Sequence, residues 1–349
     1  MDLLDSALSS NNQFDYDMFK ARIFVCGVGG AGSNAIQRIS KLGVKGATLV
    51  AANTDGKHLN TMDPTVKRVL LGGALTRGLG AGGFPEMGAK AAEYSRADIE
   101  RALDGCNLLF MAAGMGGGTG TGAAPIVADV AKKMGSIVIG FVTFPFSLER
   151  IRLNVARKGI EELSKVVDTL IVIDNQRLVD VYPNLQIEQA FKVADEITSR
   201  AVQGITETIS TPSLINIDFA DIRTVMSKGG LAMISVGEGS GEDKVNAVVN
   251  STLKNKLLDV DFEGTSSVLL HIRGGEDLTL GEANEIANKL TEKAAPNANV
   301  IWGARLDPAY NGRVEVIAIF TGVKSPNILG ASTYKKSEGE DLGIGGMQF

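Results

Sequence analysis

The chain has 349 residues, of which 44% are hydrophobic and 21% are charged, and its formal net charge is −5. This length suggests two domains with ample core, and the acidic balance argues against nucleic acid as a partner. The acidic, polar first residues are unlike a signal peptide, and no segment approaches the roughly 20 apolar residues that span a membrane. We therefore expect a cytoplasmic protein with no direct membrane insertion.

Strands and helices alternate along the first half of the chain. Apolar runs predict strands at residues 22–26, 47–52, 107–113, 136–143 and 169–173. Helical patterns follow them at residues 33–41, 85–103, 123–134 and 150–165. This alternation predicts a parallel sheet covered by helices on both faces. Cys26 and Cys106 lie within apolar runs and are expected to be buried, reduced thiols.

Three glycine clusters lie at the carboxyl ends of predicted strands: residues 27–32 (GVGGAG), 78–83 (GLGAGG) and 116–122 (GGGTGTG). A backbone without Cβ atoms can turn several N–H groups toward one point, and such a concave set of donors binds phosphate. A helix N-terminus strengthens the attraction for anions. The third cluster lies between an apolar strand and an Ala/Val-rich helix, which argues against a flexible linker. We expect positive φ angles and close approach to phosphate at Gly117 and Gly118.

The first cluster also permits an alternative function. Gly27, Gly29 and Gly32 form a G-x-G-x-x-G pattern straight after a strand, and Asp55 lies at a suitable distance to hold a ribose. That pattern is typical of NAD- or FAD-dependent oxidoreductases. A dehydrogenase leaves the other two glycine clusters unexplained, however, and three anion-binding loops fit a nucleotide with several phosphates better.

A long helix and a polar strand end supply candidate base-binding residues. Apolar residues keep helical spacing across residues 187–210, which predicts one continuous helix. Phe191 and Asp195 lie one turn apart on it and share a face. A carboxylate accepts hydrogen bonds from guanine N1 and N2, and a phenylalanine either stacks on a base or packs in a core. The amide of Asn175, at the end of a predicted strand, could read a purine edge.

The chain changes character after Pro212, where helices and strands predict a smaller α+β domain. Asn216, Asp218 and Asp221 lie within six residues of an otherwise apolar stretch. Carboxylates there could polarise a water molecule or lie near magnesium. Asp218 could equally cap the following helix, and the residues alone do not separate the two roles.

Taken together, these motifs resemble those of the FtsZ family, the prokaryotic homologues of tubulin. The resemblance covers residues 22–324 and rests on the three glycine loops, on Asn53-Thr54-Asp55 and on the segment that contains Asn216, Asp218 and Asp221. Residues 86–90 and the short ending are similar to archaeal members. The family implies an α/β fold in which a Rossmann-like, parallel-sheet GTPase domain is joined by a long central helix to a smaller α+β domain, as in tubulin.

On this resemblance the chain divides into five segments. They are a flexible arm (1–20), the GTP-binding domain (21–186), the central helix (187–211), the C-terminal α+β domain (212–325) and a disordered tail (326–349). The last nine residues, 341–349, resemble the family's tail peptide, which binds membrane-anchor or adaptor proteins.

The resemblance also implies the nucleotide site. The residues that would bind GTP or GDP are Gly29, Gly30, Ala31, Gly32, Ser33, Asn34, Asn53, Asp55, Ala81, Gly82, Gly116, Gly117, Gly118, Thr119, Gly120, Thr121, Pro145, Glu149, Arg152, Asn175, Phe191 and Asp195. Mg²⁺ would be held mainly through the phosphates rather than by side chains. The family usually has an arginine four residues after the glutamate, whereas this chain is one residue shorter there, so that either Arg150 or Arg152 could fill the role.

The implied function is that of a GTPase that polymerises head to tail with itself into the mid-cell division ring. The predicted central helix carries Asn216, Asp218 and Asp221 away from the glycine loops, so these catalytic candidates would act on the nucleotide of the adjacent subunit. Further expected partners are a membrane-anchor adaptor and a paralogue in the ring. Two alternatives remain open, the oxidoreductase and a GTP-binding polymer regulator that does not hydrolyse.

Overall fold

The computed structural model describes residues 21–44, 46–181, 184, 186–210, 215, 217–227, 229–254 and 264–323. The predicted N-terminal arm and the predicted tail, with its terminal peptide, lie outside these residues. So does Asn216, and the side chains of Phe191 and Asp195 are likewise not described.

In the described part of the chain, ten strands form one sheet in the order β3-β2-β1-β4-β5-β6-β7-β10-β8-β9. The strands are β1 (Ile23–Val28), β2 (Ala47–Asn53), β3 (Lys67–Leu70), β4 (Leu108–Gly114), β5 (Ile137–Phe144), β6 (Thr169–Asp174), β7 (Gly230–Ser240), β8 (Ser267–Gly274), β9 (Asn299–Leu306) and β10 (Arg313–Thr321). β1 to β6 pair in parallel, whereas β10 is antiparallel to both β7 and β8. The join between the two parts is the short parallel pairing of β6 with β7.

Twelve α-helices are described within those residues. They are α1 (Gly29–Leu42), α2 (Gly56–Asn60), α3 (Gly73–Thr76), α4 (Pro85–Tyr94), α5 (Arg96–Ala102), α6 (Gly118–Lys133), α7 (Arg150–Ser164), α8 (Asn175–Val181), α9 (Ile187–Ser210), α10 (Phe219–Met226), α11 (Lys244–Lys254) and α12 (Leu280–Thr291). The long helix α9 has the bounds that the apolar spacing predicts.

Apolar cores lie on both faces of the sheet. Side chains of α4 to α7, α11 and α12 pack on one face, and those of α1, α9 and α10 pack on the other. All six residues of β1 are buried, as expected for a parallel strand that is covered on both sides. Cys26 and Cys106 are free, buried thiols as predicted, and burial raises the pKa of Cys26 to about 12.

The first and third glycine clusters differ from the prediction because they open helices rather than precede them. The second cluster, residues 78–83, was expected at the end of a strand but follows α3 and precedes α4. α1 begins at Gly29 and α6 at Gly118, several residues before the expected starts. Close packing is one reason for glycine in these turns, since a Cβ atom on Gly32 would lie 2.3 Å from the carbonyl oxygen of Ala112. The expected positive φ at Gly117 and Gly118 is wrong. Gly117 has φ −97, and within the third cluster the positive φ belongs to Gly116.

Two helical predictions also need correction. The expected single helix over residues 85–103 is broken at Ser95, where φ and ψ are −105 and 18 and the side-chain oxygen accepts a hydrogen bond from Gly72 N at 2.8 Å. α12 was not predicted, although Thr279 and Glu282 form a reciprocal capping box at its start. That sequence pattern marks helix N-termini and was available in the sequence.

Candidate functional site

A cavity of about 690 Å³ lies at the carboxyl edge of the parallel strands. It is lined by Gly30, Ala31, Asn34, Arg38, His58, Gly114, Met115, Gly117, Gly118, Thr119, Gly120, Thr143, Pro145, Phe146, Glu149, Arg152 and Asn175. A second cavity, of about 800 Å³, lies between α9 and the C-terminal strands. The first gathers many of the predicted nucleotide-binding residues, so we take it as the candidate site.

Two helices begin at this cavity. α1 starts at Gly29 and α6 at Gly118, and neither has an acidic residue in its first turn. The free N–H groups of a first turn and the positive end of the helix dipole attract anions. Two such helix starts at one cavity make a site suited to a polyphosphate.

The loops after β2 and β4 are held together next to this cavity. Thr54 Oγ1 lies 2.6 Å from Thr119 Oγ1, and Thr121 Oγ1 accepts a hydrogen bond from Gly116 N at 2.9 Å. The Asp55 side chain accepts from His58 N at 3.0 Å and thereby caps α2. Thr121 and Asp55 therefore have structural contacts of their own and are not among the lining residues.

Buried polar atoms that lack a hydrogen-bond partner indicate whether the cavity suits a nucleotide. Ser33 Oγ and Asn175 Oδ1 are buried and have no hydrogen-bond partner among the described residues. An unpaired buried polar group costs roughly 1–3 kcal/mol. Asn175 lies at the cavity wall, so a ligand with N–H donors would satisfy it. The atoms present thus fit a nucleotide base.

The structure shows which of the two candidate arginines, Arg150 or Arg152, faces the cavity. Arg152 lines it together with Glu149, and the two side chains form an ion pair with a 2.7 Å distance between Nη1 and Oε2. Glu149 also accepts from Phe146 N at 3.1 Å. Arg150 is not among the lining residues.

The other predicted nucleotide residues fall in three groups. Gly29, Gly32 and Ser33 lie at the start of α1, and Gly116 lies two residues before α6; none of them is among the lining residues. Asn53 is buried, with its Oδ1 accepting from Asp55 N at 3.3 Å. Ala81 and Gly82 precede α4, and a Cβ atom on Gly118 would lie 3.0 Å from that of Ala81.

The two carboxylates of the catalytic prediction form a helix cap. Asp218 Oδ1 accepts from Asp221 N at 2.7 Å, and Asp221 Oδ2 accepts from Asp218 N at 3.2 Å. This reciprocal pair begins α10, which follows the C-terminal end of α9. Asp218 is exposed and Asp221 is half-buried. Neither lines the candidate cavity.

Sequence reasoning missed several lining residues. Arg38, His58, Met115 and Phe146 line the cavity without having been predicted. Arg38 lies one helical turn beyond Asn34, a spacing that puts two residues on one face, and this signal could have found it. His58 had no comparable signal, because it lies on α2 and reaches the cavity only through the packing of α2 beside α1.

In the described part of the chain, neither a side-chain metal site nor a membrane-spanning helix is found. No group of three or more His, Cys, Asp or Glu residues there could hold a metal ion. No described helix combines the length and apolar character that crossing a bilayer requires.

Comparisons with known proteins agree with this geometry. Residues 22–183 match the GTPase domain of the Tubulin/FtsZ family, and residues 230–324 match the C-terminal domain of the FtsZ family. The chain is 53% identical to cell division protein FtsZ 2 of Methanocaldococcus jannaschii, over 100% of this chain and 96% of that protein. It is 49% identical to cell division protein FtsZ 2 of Haloferax volcanii, over 95% of this chain and 82% of that protein.

Solved structures show the same relationship. An empty FtsZ dimer of M. jannaschii matches with a TM-score of 0.82 and 42% identity, over 92% of this chain and 93% of that one. CetZ2 of Haloferax volcanii, a GTPγS-bound protofilament, has a TM-score of 0.75 at 22% identity over 87% of this chain and 93% of that one, and shows likeness of fold alone. These findings confirm the predicted tubulin-like α/β fold and set aside the oxidoreductase alternative. The chain belongs to the FtsZ family of tubulin-like GTPases.

Proposed function

We propose that this GTPase completes its active site only on assembly, with GTP in the cavity of one subunit and Asp218 and Asp221 supplied by the next. The observation that carries the proposal is that neither carboxylate lines its own chain's cavity. The 24 residues of α9, which lead to α10, span roughly 36 Å at a rise of 1.5 Å per residue. An active site divided in this way makes hydrolysis depend on contact between subunits.

Within the cavity we assign the phosphates to the N–H groups that begin α1 and α6. The Glu149–Arg152 pair would lie by the ribose and base, and Asn175, Phe191 and Asp195 would hold guanine. The unpaired Oδ1 of Asn175 supports the base-binding role, since guanine offers N–H donors. Asp218, Asp221 and Asn216 of the adjacent subunit would orient the attacking water.

Mg²⁺ would be bound mainly by the phosphates. The Tubulin/FtsZ GTPase domain implies GTP and GDP as ligands, and no cluster of metal-binding side chains is found in the described ranges. A magnesium ion that bridges phosphate oxygens needs few protein ligands. When bound, it would neutralise charge that develops on the phosphates.

Four exposed apolar side chains support the proposal that another chain covers the cavity. Leu79, Phe84, Leu148 and Ile151 are 70–84% exposed. Leu79 and Phe84 lie in or directly after the second glycine cluster, and Leu148 and Ile151 are neighbours in sequence of the lining residues Glu149 and Arg152. A cluster of exposed large apolar side chains marks an interaction surface. A head-to-tail contact that covers this face and leaves the opposite face open for the next copy builds a filament.

Self-association has further support from a relative, since the FtsZ of M. jannaschii with 42% identity is a dimer in its solved structure. Both archaeal relatives are named cell division proteins, which supports a place in the division ring.

We also propose that residues 341–349 bind a membrane-anchor adaptor and that a paralogue shares the ring.

Concentration dependence tests the proposal. Phosphate release per molecule should rise steeply above a threshold protein concentration, together with light scattering, with GTP and not with ATP. Specific activity that stays constant down to nanomolar protein would show that each chain is catalytically complete. Equal activity with ATP would overturn the guanine assignment.

A further inference from the structure

His58 lies between two asparagine side chains at the wall of the nucleotide cavity. Its Nε2 atom is 3.0 Å from Asn34 Oδ1, which belongs to α1. Its Nδ1 atom is 3.4 Å from Asn53 Nδ2, at the end of β2. His58 therefore connects two neighbouring strand–helix units through its two ring nitrogens.

The hydrogen-bond partners determine which nitrogen carries the proton. Asn53 Oδ1 accepts from Asp55 N at 3.3 Å, so the amide of Asn53 turns its NH₂ group toward His58. An NH₂ group only donates, and Nδ1 of His58 must therefore accept. The neutral ring then carries its hydrogen on Nε2 and donates it to Asn34 Oδ1.

This tautomer determines what Asn34 can offer to a ligand. With Oδ1 engaged by His58, the remaining group of the amide is Nδ2, and it has no hydrogen-bond partner among the residues that the structure describes. Asn34 is exposed at the cavity wall. Its Nδ2 group is thus a free donor of fixed orientation in the candidate site.

We propose that His58 is a positioning residue: its Nε2–H holds Asn34 Oδ1, and so presents Asn34 Nδ2 as a hydrogen-bond donor to the bound guanine nucleotide. The inference rests on the proposed function, because it requires the nucleotide to occupy this cavity. His58 itself would not touch the nucleotide; it acts through Asn34.

Two conservative variants separate the two bonds of His58. A glutamine amide reaches the position of Nε2, so His58→Gln keeps a donor for Asn34 and loses the acceptor for Asn53. An asparagine amide reaches only the position of Nδ1, so His58→Asn keeps the acceptor for Asn53 and loses the donor for Asn34. Lys57→Ala, at the exposed neighbouring position, controls for general effects on α2.

The measurement is GDP affinity by calorimetry on nucleotide-free full-length protein, since GDP lacks the γ-phosphate that a GTPase removes and so stays intact during the titration. We expect His58→Asn to weaken GDP binding roughly three- to tenfold, the factor that one neutral hydrogen bond contributes. His58→Gln and Lys57→Ala should stay within about twofold of the native chain. In an Asn34→Ala background, His58→Asn should weaken binding no further, because residues that act as one unit are not additive.

The outcomes are distinguishable. If His58→Gln loses affinity and His58→Asn keeps it, His58 serves only to hold the β2 loop, and the positioning role is overturned. The positioning role is also overturned if His58→Asn lowers GDP affinity by the same factor in the Asn34→Ala background as in the native chain. If the native chain binds no GDP, the proposed function fails together with this inference. Thermal melting of each nucleotide-free variant shows whether it folds.

Discussion

At the scale of single residues, Gly32 shows how close packing rather than loop flexibility selects glycine. A Cβ atom there would lie 2.3 Å from Ala112 O and 2.9 Å from Gly27 C. Both are backbone atoms, which cannot rotate away as a side chain can. The approach of α1 to β1 and β4 thus depends on this position, and the approach sets where the start of α1 meets the cavity.

We predict that Gly32→Ala lowers the free energy of unfolding by about 1–3 kcal/mol, the usual cost of overpacking. Gly30→Ala is the matched control, since it lies in the same helix and its Cβ would meet nothing within 4 Å. Urea denaturation without nucleotide measures both. If the two variants are equally stable, α1 does not pack on the sheet as closely as described.

A second residue-scale prediction concerns His271 in β8. Burial, with Arg273 and Arg305 nearby, lowers its pKa to about 4, compared with roughly 6.5 for an unfolded histidine. The unfolded state therefore takes up a proton first as the pH falls. Stability should fall between about pH 6.5 and pH 4, by up to about 3 kcal/mol in total. His271→Gln should show a shallower fall in urea unfolding experiments between pH 7 and 5, and identical slopes would contradict the prediction.

At the scale of secondary-structure elements, the cap of α10 bears on whether Asp218 and Asp221 serve catalysis or only cap the helix. Asp218 and Asp221 cap the helix reciprocally, so their presence has a sufficient structural reason. The proposed catalytic role needs the negative charge, whereas the cap needs only a side-chain oxygen.

Asparagine separates the two roles, because it caps helices about as well as aspartate does. We predict that Asp218→Asn keeps the melting temperature near that of the native chain but lowers GTP hydrolysis by tenfold or more. Asp218→Ala should lose about 1 kcal/mol of stability as well. Full hydrolysis by Asp218→Asn would leave Asp218 with the capping role alone.

Sequence patterns predicted the elements well where they were long and periodic. The bounds of α9 were obtained from apolar spacing alone, because a 24-residue helix repeats its pattern many times. The break at Ser95 was not predictable in this way, since it depends on a hydrogen bond to Gly72, which is distant in sequence. The glycine loops of the candidate site were evident, whereas His58 depends on the adjacency of β1 and β2 and on its bond to Asn34.

At the scale of the whole molecule, the central helix is tied to the C-terminal strands by ion pairs. Glu207 of α9 accepts from Arg305 at 2.5 Å and from Arg273 at 3.3 Å. Arg200, one to two turns earlier, pairs with Glu315 at 3.1 Å. These side chains are largely shielded from solvent, so the contacts are less screened than surface pairs. Since neither Asp218 nor Asp221 lines the cavity, the nucleotide cavity and the α10 cap are separate places within one chain.

That separation permits a test in which two inactive chains restore activity to each other. Gly117 lines the cavity, has ordinary extended backbone angles and leaves its Cβ position open. Gly117→Val should therefore fill the phosphate site without straining the fold, whereas a side chain at Gly118 would meet Phe84 N at 2.8 Å. Asp221→Ala leaves the cavity intact and removes the carboxylate that the neighbour needs.

We predict that Asp221→Ala binds GTP with native affinity but hydrolyses it at least tenfold more slowly, since positioning a water contributes about 10²–10⁴-fold. Gly117→Val should bind no GTP. In a mixture, a GTP-loaded Asp221→Ala subunit can receive Asp221 from a Gly117→Val neighbour, so phosphate release should exceed the sum of the two separate rates. The gain should vanish on dilution below the assembly threshold and in a mixture whose second chain carries both substitutions. A mixture that releases phosphate only at the summed rate, while light scattering shows that the chains assemble together, would mean that Asp221 does not act across the contact.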